Sequence, residues 1–191
     1  MRWFLALAMV CMGLAPPALG DGEVNSLITA SDRQKLAEFN STKLAALREA
    51  EAGAAEDLVV LKAALAGEPL NFDNFDPTGA WKCRVIKLGG LLPLTVYAQF
   101  RCAISEDGKG WLLAKITGSQ RTTGYFYQES DTRLIYLGSG YVLGETPKLY
   151  GAGPEFDQVA YAERLGEQKI VLLFPKPYYE SNLDLLVLER K

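Results

Sequence analysis

Two cysteines, Cys83 and Cys102, and one polar-aromatic run, Gln120-Arg121-Thr122-Thr123-Gly124-Tyr125-Phe126-Tyr127, are the places where this chain concentrates side chains capable of chemistry. The guanidinium of Arg121 can hold a carboxylate or phosphate through two hydrogen bonds. Tyr125 and Tyr127 stand two apart, on one face of a strand, where they can pack a flat ring. Lys87 falls on the apolar face of the preceding hairpin, and Lys115 shares a face with Trp111 and Leu113. A lysine on an inward face near a barrel mouth can meet an anionic ligand or a partner carboxylate. The candidate site is therefore Lys87, Gln120, Arg121, Tyr125 and Tyr127, for a small, anionic and partly flat ligand. The plainer reading of the same residues is a tight turn and a strand of half-buried tyrosines, with lysines that pack their stems and reach the rim.

Catalysis finds less support. Histidine is absent, which excludes Ser-His-Asp and Cys-His mechanisms and removes the commonest zinc ligand. Glu180 and Asp184, after the exposed Tyr178-Tyr179 turn, could be paired carboxylates, but sequence does not set their separation. The stretch Asn71-Phe72-Asp73-Asn74-Phe75-Asp76-Pro77 has the oxygen-rich look of a calcium loop without its glycine or its later glutamate; Asx turns leading into a strand explain it at lower cost. Cys83 and Cys102 are too far apart in sequence for a Cys-x-x-Cys redox or zinc motif. No catalytic residue, metal or cofactor is assigned.

The elements that must position these residues are mostly strands. Thr78 to Ser105 reads as a β-hairpin in which Cys83 opposes Cys102, Trp81 opposes Ile104, Val85 opposes Phe100 and Lys87 opposes Ala98. That register collects the large apolar residues and both cysteines on one face, and it places the cysteines for a disulfide. Further strands are expected at 111–117, 122–128, 133–139, 158–164, 169–174 and 183–189, with turn signals at Glu106-Asp107-Gly108, Ser130-Asp131 and Leu165-Gly166-Glu167. Eight strands in meander order suit a closed barrel, and a two-sheet sandwich fits nearly as well. Gly140 to Phe156 is too long to be only a turn and is a candidate functional surface.

Ahead of the strands, Ser31 followed by Gln34 marks a helix start, and Leu36, Phe39, Leu44 and Leu47 recur at helical spacing up to Gly53. A second helix carries Leu58, Leu61 and Leu65 and stops at Gly67. The short turn between them predicts a helical hairpin whose leucine stripe packs on the β-domain or covers a barrel end. The fold class is α+β, with segment 21–69 helical and segment 70–191 an antiparallel β-domain, together one compact unit.

The 191 residues carry a formal charge of -3, with no basic stripe, so nucleic acid is not an expected partner. Residues 1–20 have Arg2, an apolar run from Trp3 to Leu14, two prolines and the small-residue ending Ala18-Leu19-Gly20, the pattern of a cleaved secretory signal peptide. The run is shorter than the ~18 residues of a spanning helix, so no transmembrane segment remains after cleavage. Val10 before Cys11 is too bulky for a lipoprotein site. The mature chain then keeps two cysteines in the periplasm or outside the cell, where a disulfide persists.

The segments FDPTGAWKCRVIKLGG, LPLTVYAQFRC, ITGSQRTTGYFY and RLIYLGSGYV resemble a bacterial family of exported proteins described as domain of unknown function 4893, over about Leu27 to Arg190. The resemblance implies no activity, ligand or catalytic residue. A looser similarity, through Gly79-x-Trp81, is to the calycin barrels, although helices in front depart from the calycin plan. Two functions are expected from these readings. One is a non-catalytic periplasmic binding or inhibitor module, whose partner is an envelope protein or a small anionic ligand. The other is an envelope hydrolase using Asp131, Glu180, Tyr125 and Tyr127.

Overall fold

The computed structural model describes residues 21–190; the expected signal peptide, with Cys11, lies outside the described residues. Four helices, α1 (Asp21–Leu27), α2 (Ala30–Ala37), α3 (Phe39–Ala50) and α4 (Ala55–Leu65), precede eight strands. The strands are β1 (Gly79–Leu88), β2 (Leu94–Glu106), β3 (Trp111–Lys115), β4 (Gln120–Ser130), β5 (Arg133–Val142), β6 (Asp157–Gly166), β7 (Lys169–Pro175) and β8 (Leu183–Glu189). They form a closed antiparallel barrel in meander order, with β8 returning to β1. Closure pairs every strand on both sides and leaves no sheet edge.

Alternation along the strands separates two apolar sets. Trp81, Cys83, Cys102, Leu113, Tyr136 and Leu172 fill the barrel interior, while Ile86, Leu88, Val171, Leu173, Leu185 and Val187 face outward beneath α3 and α4. Both faces of β7 and β8 are consequently buried, and these strands read as nearly continuous apolar runs.

The cysteines form the expected disulfide, but as a diagonal rather than a directly opposed pair. Trp81 stands opposite Cys102 and Cys83 opposite Phe100, with a Cα–Cα distance of 5.9 Å across the bond. Beyond Arg84 the register shifts, so that Tyr97 and Ala98 both stand against Val85 and Lys87 pairs with Thr95, not Ala98. Such a bulge turns one residue over. Here it brings Tyr97 to the inside with Phe100.

The helices correct the sequence reading. Thr29, not Ser31, caps α2 by accepting from the Asp32 N–H at 3.2 Å, and the chain breaks at Glu38 before α3 begins. Leu44 is 53% exposed, and the buried stripe of α3 is Phe39, Thr42, Ala46 and Ala50. Small residues on that stripe let the helix lie close to the barrel wall. The helices thus coat the outer wall of the barrel as separate short segments, α1 on β4, α2 on β6, α3 on β1, β7 and β8, and α4 on β2, instead of forming a two-helix hairpin. The barrel end where β2 turns to β3 and β4 to β5 is closed by Phe72 and Phe75, from the segment between α4 and β1, which pack on the interior cluster. The Asn71 and Asp76 side chains there accept from the backbone N–H groups of Asp73 and Thr78, as Asx turns do.

Candidate functional site

The other end of the barrel is open. Its mouth is formed by the loops 89–93, 116–119, 143–156 and 176–182, which join the strands in hairpin order. Below it lies a cavity of about 540 Å³, a size typical of small-molecule sites. Val85, Phe100, Phe174 and Leu186 supply apolar walls, and Lys87, Lys115, Gln120, Arg121, Gln158 and Asp184 supply polar ones.

Three of the four loops are held by the helices. Tyr150 donates to Asp32 Oδ2 at 2.8 Å and accepts from the Thr29 N–H at 3.2 Å, which ties loop 143–156 to α2. Glu49 of α3 accepts from the Gly90 N–H at 3.1 Å and from Asn182 Nδ2 at 3.0 Å, and Lys176 pairs with Glu38. The long loop flagged in the sequence is therefore an anchored part of the mouth. Its tip still exposes Leu149, as loop 89–93 exposes Leu91 and loop 176–182 exposes Tyr178 and Tyr179.

Of the sequence candidates, Lys87, Gln120 and Arg121 reach the cavity and the two tyrosines do not. Thr122, Gly124 and Phe126 take the inward positions of β4, so the residues between them face out. The Tyr125 hydroxyl donates to Asp107 Oδ2 at 2.5 Å, and that bond pushes its pKa up to about 12. Tyr127 packs on the outer cluster of Ile135 and Leu137. Asp131 lies at the opposite, closed end with Phe72, so it shares no site with Glu180.

Lys87 is buried and bonds Glu180 Oε2 at 2.5 Å and Gln120 Oε1 at 3.4 Å. Burial works against its charge, but the Glu180 hydrogen bond and the nearby Asp184 and Glu180 charges outweigh it and raise its pKa. Lys115 is different. It is only 5% exposed, its Nζ donates to the carbonyls of Gln120 at 2.5 Å and Thr117 at 3.1 Å, and it sits 3.9 Å from the centroid of Phe100. Among the described residues it has no carboxylate within ion-pair reach. Desolvation, with repulsion from Arg121 and Lys87, pulls its pKa down to about 8. Gly118 makes the arrangement possible: its φ is +93°, and a Cβ there would stand 2.8 Å from the Lys115 ammonium. Arg121 spends Nε on the Gly118 carbonyl at 3.2 Å.

Asp184, paired across from Lys87 on β8, accepts from Ser181, and desolvation raises its pKa from 3.8 to about 6. A carboxyl whose folded pKa exceeds its unfolded value favours the fold in its protonated form, so this contribution is lost as pH rises from about 4 to 6. Asp184→Asn is therefore expected to raise the melting temperature at neutral pH and to leave it nearly unchanged below pH 4. A lower melting temperature at neutral pH would show that the ionised carboxylate stabilises the mouth.

Fold and site together define a class: an eight-stranded meander barrel with one plugged end and, under the other, a cavity lined by both basic and acidic side chains. The chain belongs to the family described as domain of unknown function DUF4893, whose model matches residues 25–188. Comparison with curated proteins and with solved structures gives no match.

Proposed function

We propose that the protein is a non-catalytic binding module of the periplasm or the extracellular space, and that its cavity takes a small, flat anion. The observation that carries this reading is Lys115, a buried ammonium without a carboxylate beside Arg121 and Lys87. Holding an unpaired charge out of water is costly, and an anion entering the cavity would repay that cost through hydrogen bonds to charged donors. The apolar walls suit the body of a ring, and the mouth is wide enough to leave the cavity open to solvent. The disulfide fits an oxidising compartment. Among the described residues no helix is long and apolar enough to cross a membrane. The hydrolase reading loses support from placement, since Asp131, Tyr125 and Tyr127 do not converge with Glu180.

Calorimetric titration with 2-naphthoate tests the proposal. Lys115→Met should weaken binding about ten- to a hundredfold, the worth of hydrogen bonds to a charged group, without lowering the melting temperature. Affinity should be full below pH 8 and fall above it, because the free ammonium deprotonates near about 8 and the bound one is held charged. Equal affinity in wild type and Lys115→Met would remove the proposal's basis.

A further inference from the structure

The two ends of the barrel differ in what they expose. At the closed end the turns 107–110, 131–132 and 167–168 contain only Asp, Glu, Lys, Gln, Thr and Gly. At the open end the loops raise large apolar side chains into solvent: Leu91 is 78% exposed and Leu149 87%, and Leu92, Leu143, Tyr178 and Tyr179 are exposed too. Loops 89–93 and 176–182 adjoin, because the Leu91 N–H donates to the Glu180 carbonyl at 2.9 Å, and the two tyrosine rings pack edge to face with centroids 4.7 Å apart. Leu143 and Leu149 belong to the loop that joins β5 to β6, on the other side of the mouth.

The charges of the two adjoining loops are already paired. Glu180 has φ +71°, in the left-handed region that is unfavourable for a residue with a Cβ, and its carboxylate pairs with buried Lys87 at 2.5 Å. Lys176, with φ +46°, pairs with Glu38 between α2 and α3. Loop 89–93 has no charged residue, and loop 143–156 carries both signs in Glu145, Lys148 and Glu155. The backbone of the tips is satisfied as well: the N–H groups of Gly89, Gly90, Leu91, Leu143 and Ser181 all donate within the protein. Such tips can leave water without stranding a charge or a backbone donor.

A protein partner would need a continuous packed core, whereas the centre of this ring of apolar tips is the opening of the cavity. A lipid surface has no such requirement. Separate leucines enter the acyl boundary singly, and tyrosines settle at the level of the headgroups. We infer that the open end of the barrel docks on a bilayer of zwitterionic lipid through Leu91, Leu92, Leu149, Tyr178 and Tyr179, with the cavity mouth facing the membrane. This docking does not depend on what the cavity takes.

Cosedimentation with phosphatidylcholine vesicles tests it, using the chain from Asp21 on, which holds all four helices and eight strands. The protein should bind, and neither added phosphatidylglycerol nor high salt should change its affinity much, because paired charges leave little for a charged surface to attract. Leu91→Ser and Leu149→Ser should each weaken binding about tenfold, the effect of withholding one leucine from the acyl boundary. Their melting temperatures should stay at the wild-type value, since both side chains are exposed. Leu44→Ser, at an exposed leucine of α3 outside the mouth loops, should bind as wild type does. Absence of binding would overturn the inference, as would loop variants that bind like wild type or an equal loss in Leu44→Ser. Binding that requires phosphatidylglycerol and disappears in high salt would overturn it by showing adsorption through charge. A dimer in sedimentation equilibrium that Leu91→Ser dissociates would overturn it too, by giving the same surface to a second copy of the chain.

Discussion

A chain that begins after Leu70 is expected to lose the cooperative fold of the barrel. Removing α1 to α4 would expose the outer faces of Ile86, Leu88, Val171, Leu173, Leu185 and Val187, which are buried beneath α3 and α4. At about 1.5–3 kcal/mol for each side chain returned to water, the loss is on the order of 10 kcal/mol. That is comparable with the whole stability of a domain of this size. The mouth loops would also lose Asp32, Glu38 and Glu49, which hold them. Thermal melting followed by circular dichroism checks this. A truncated chain melting at the temperature of the full one would show that the helices are an independent arm.

The second large effect is expected from the disulfide. Cys83 and Cys102 are 19 residues apart, and closing a loop of that length restricts the unfolded chain by about 3 kcal/mol. Replacing both cysteines by alanine should lower the urea midpoint accordingly, with the barrel still formed, since both positions lie within an apolar cluster rather than at a polar site. Mass measurement of the protein purified without reductant, before and after reduction, supplies the companion result. Two free thiols in that material would contradict the pairing.

Much of the barrel was legible because its inward faces alternate. The Trp81-Cys83-Val85-Lys87 series indicated the correct face of β1, and the strand limits deviate from those expected by only a few residues. The hairpin pairing is two residues out before Arg84, where Cys83 stands opposite Phe100, and one residue more beyond it, because the bulge at Tyr97 and Ala98 has no glycine or proline to announce it. Barrel closure is a contact between β1 and β8, at opposite ends of the β-domain, and no local pattern distinguishes it from a sandwich. Helices on the outer wall make that face apolar as well, which erases the contrast that normally reveals facing. That is why Tyr125 and Tyr127 looked as eligible for the interior as Thr122 and Phe126.

The site was half visible. Lys115 could be placed on the inward face from Trp111 and Leu113, but its lack of a carboxylate is a property of the folded surroundings. Tyr150 and Asp32, which are 118 residues apart, likewise meet only through the fold.

The most direct measurement is a pH titration of the Lys115 side chain by nuclear magnetic resonance on lysine-labelled protein, with and without 2-naphthoate. The free protein should show this lysine titrating near about 8, well below the ordinary 10.5. Saturating ligand should shift its signal and move the titration upward, because the ammonium is held charged against the acid. A Lys115 signal that neither shifts nor changes its titration while 2-naphthoate binds would place the ligand elsewhere and contradict the account.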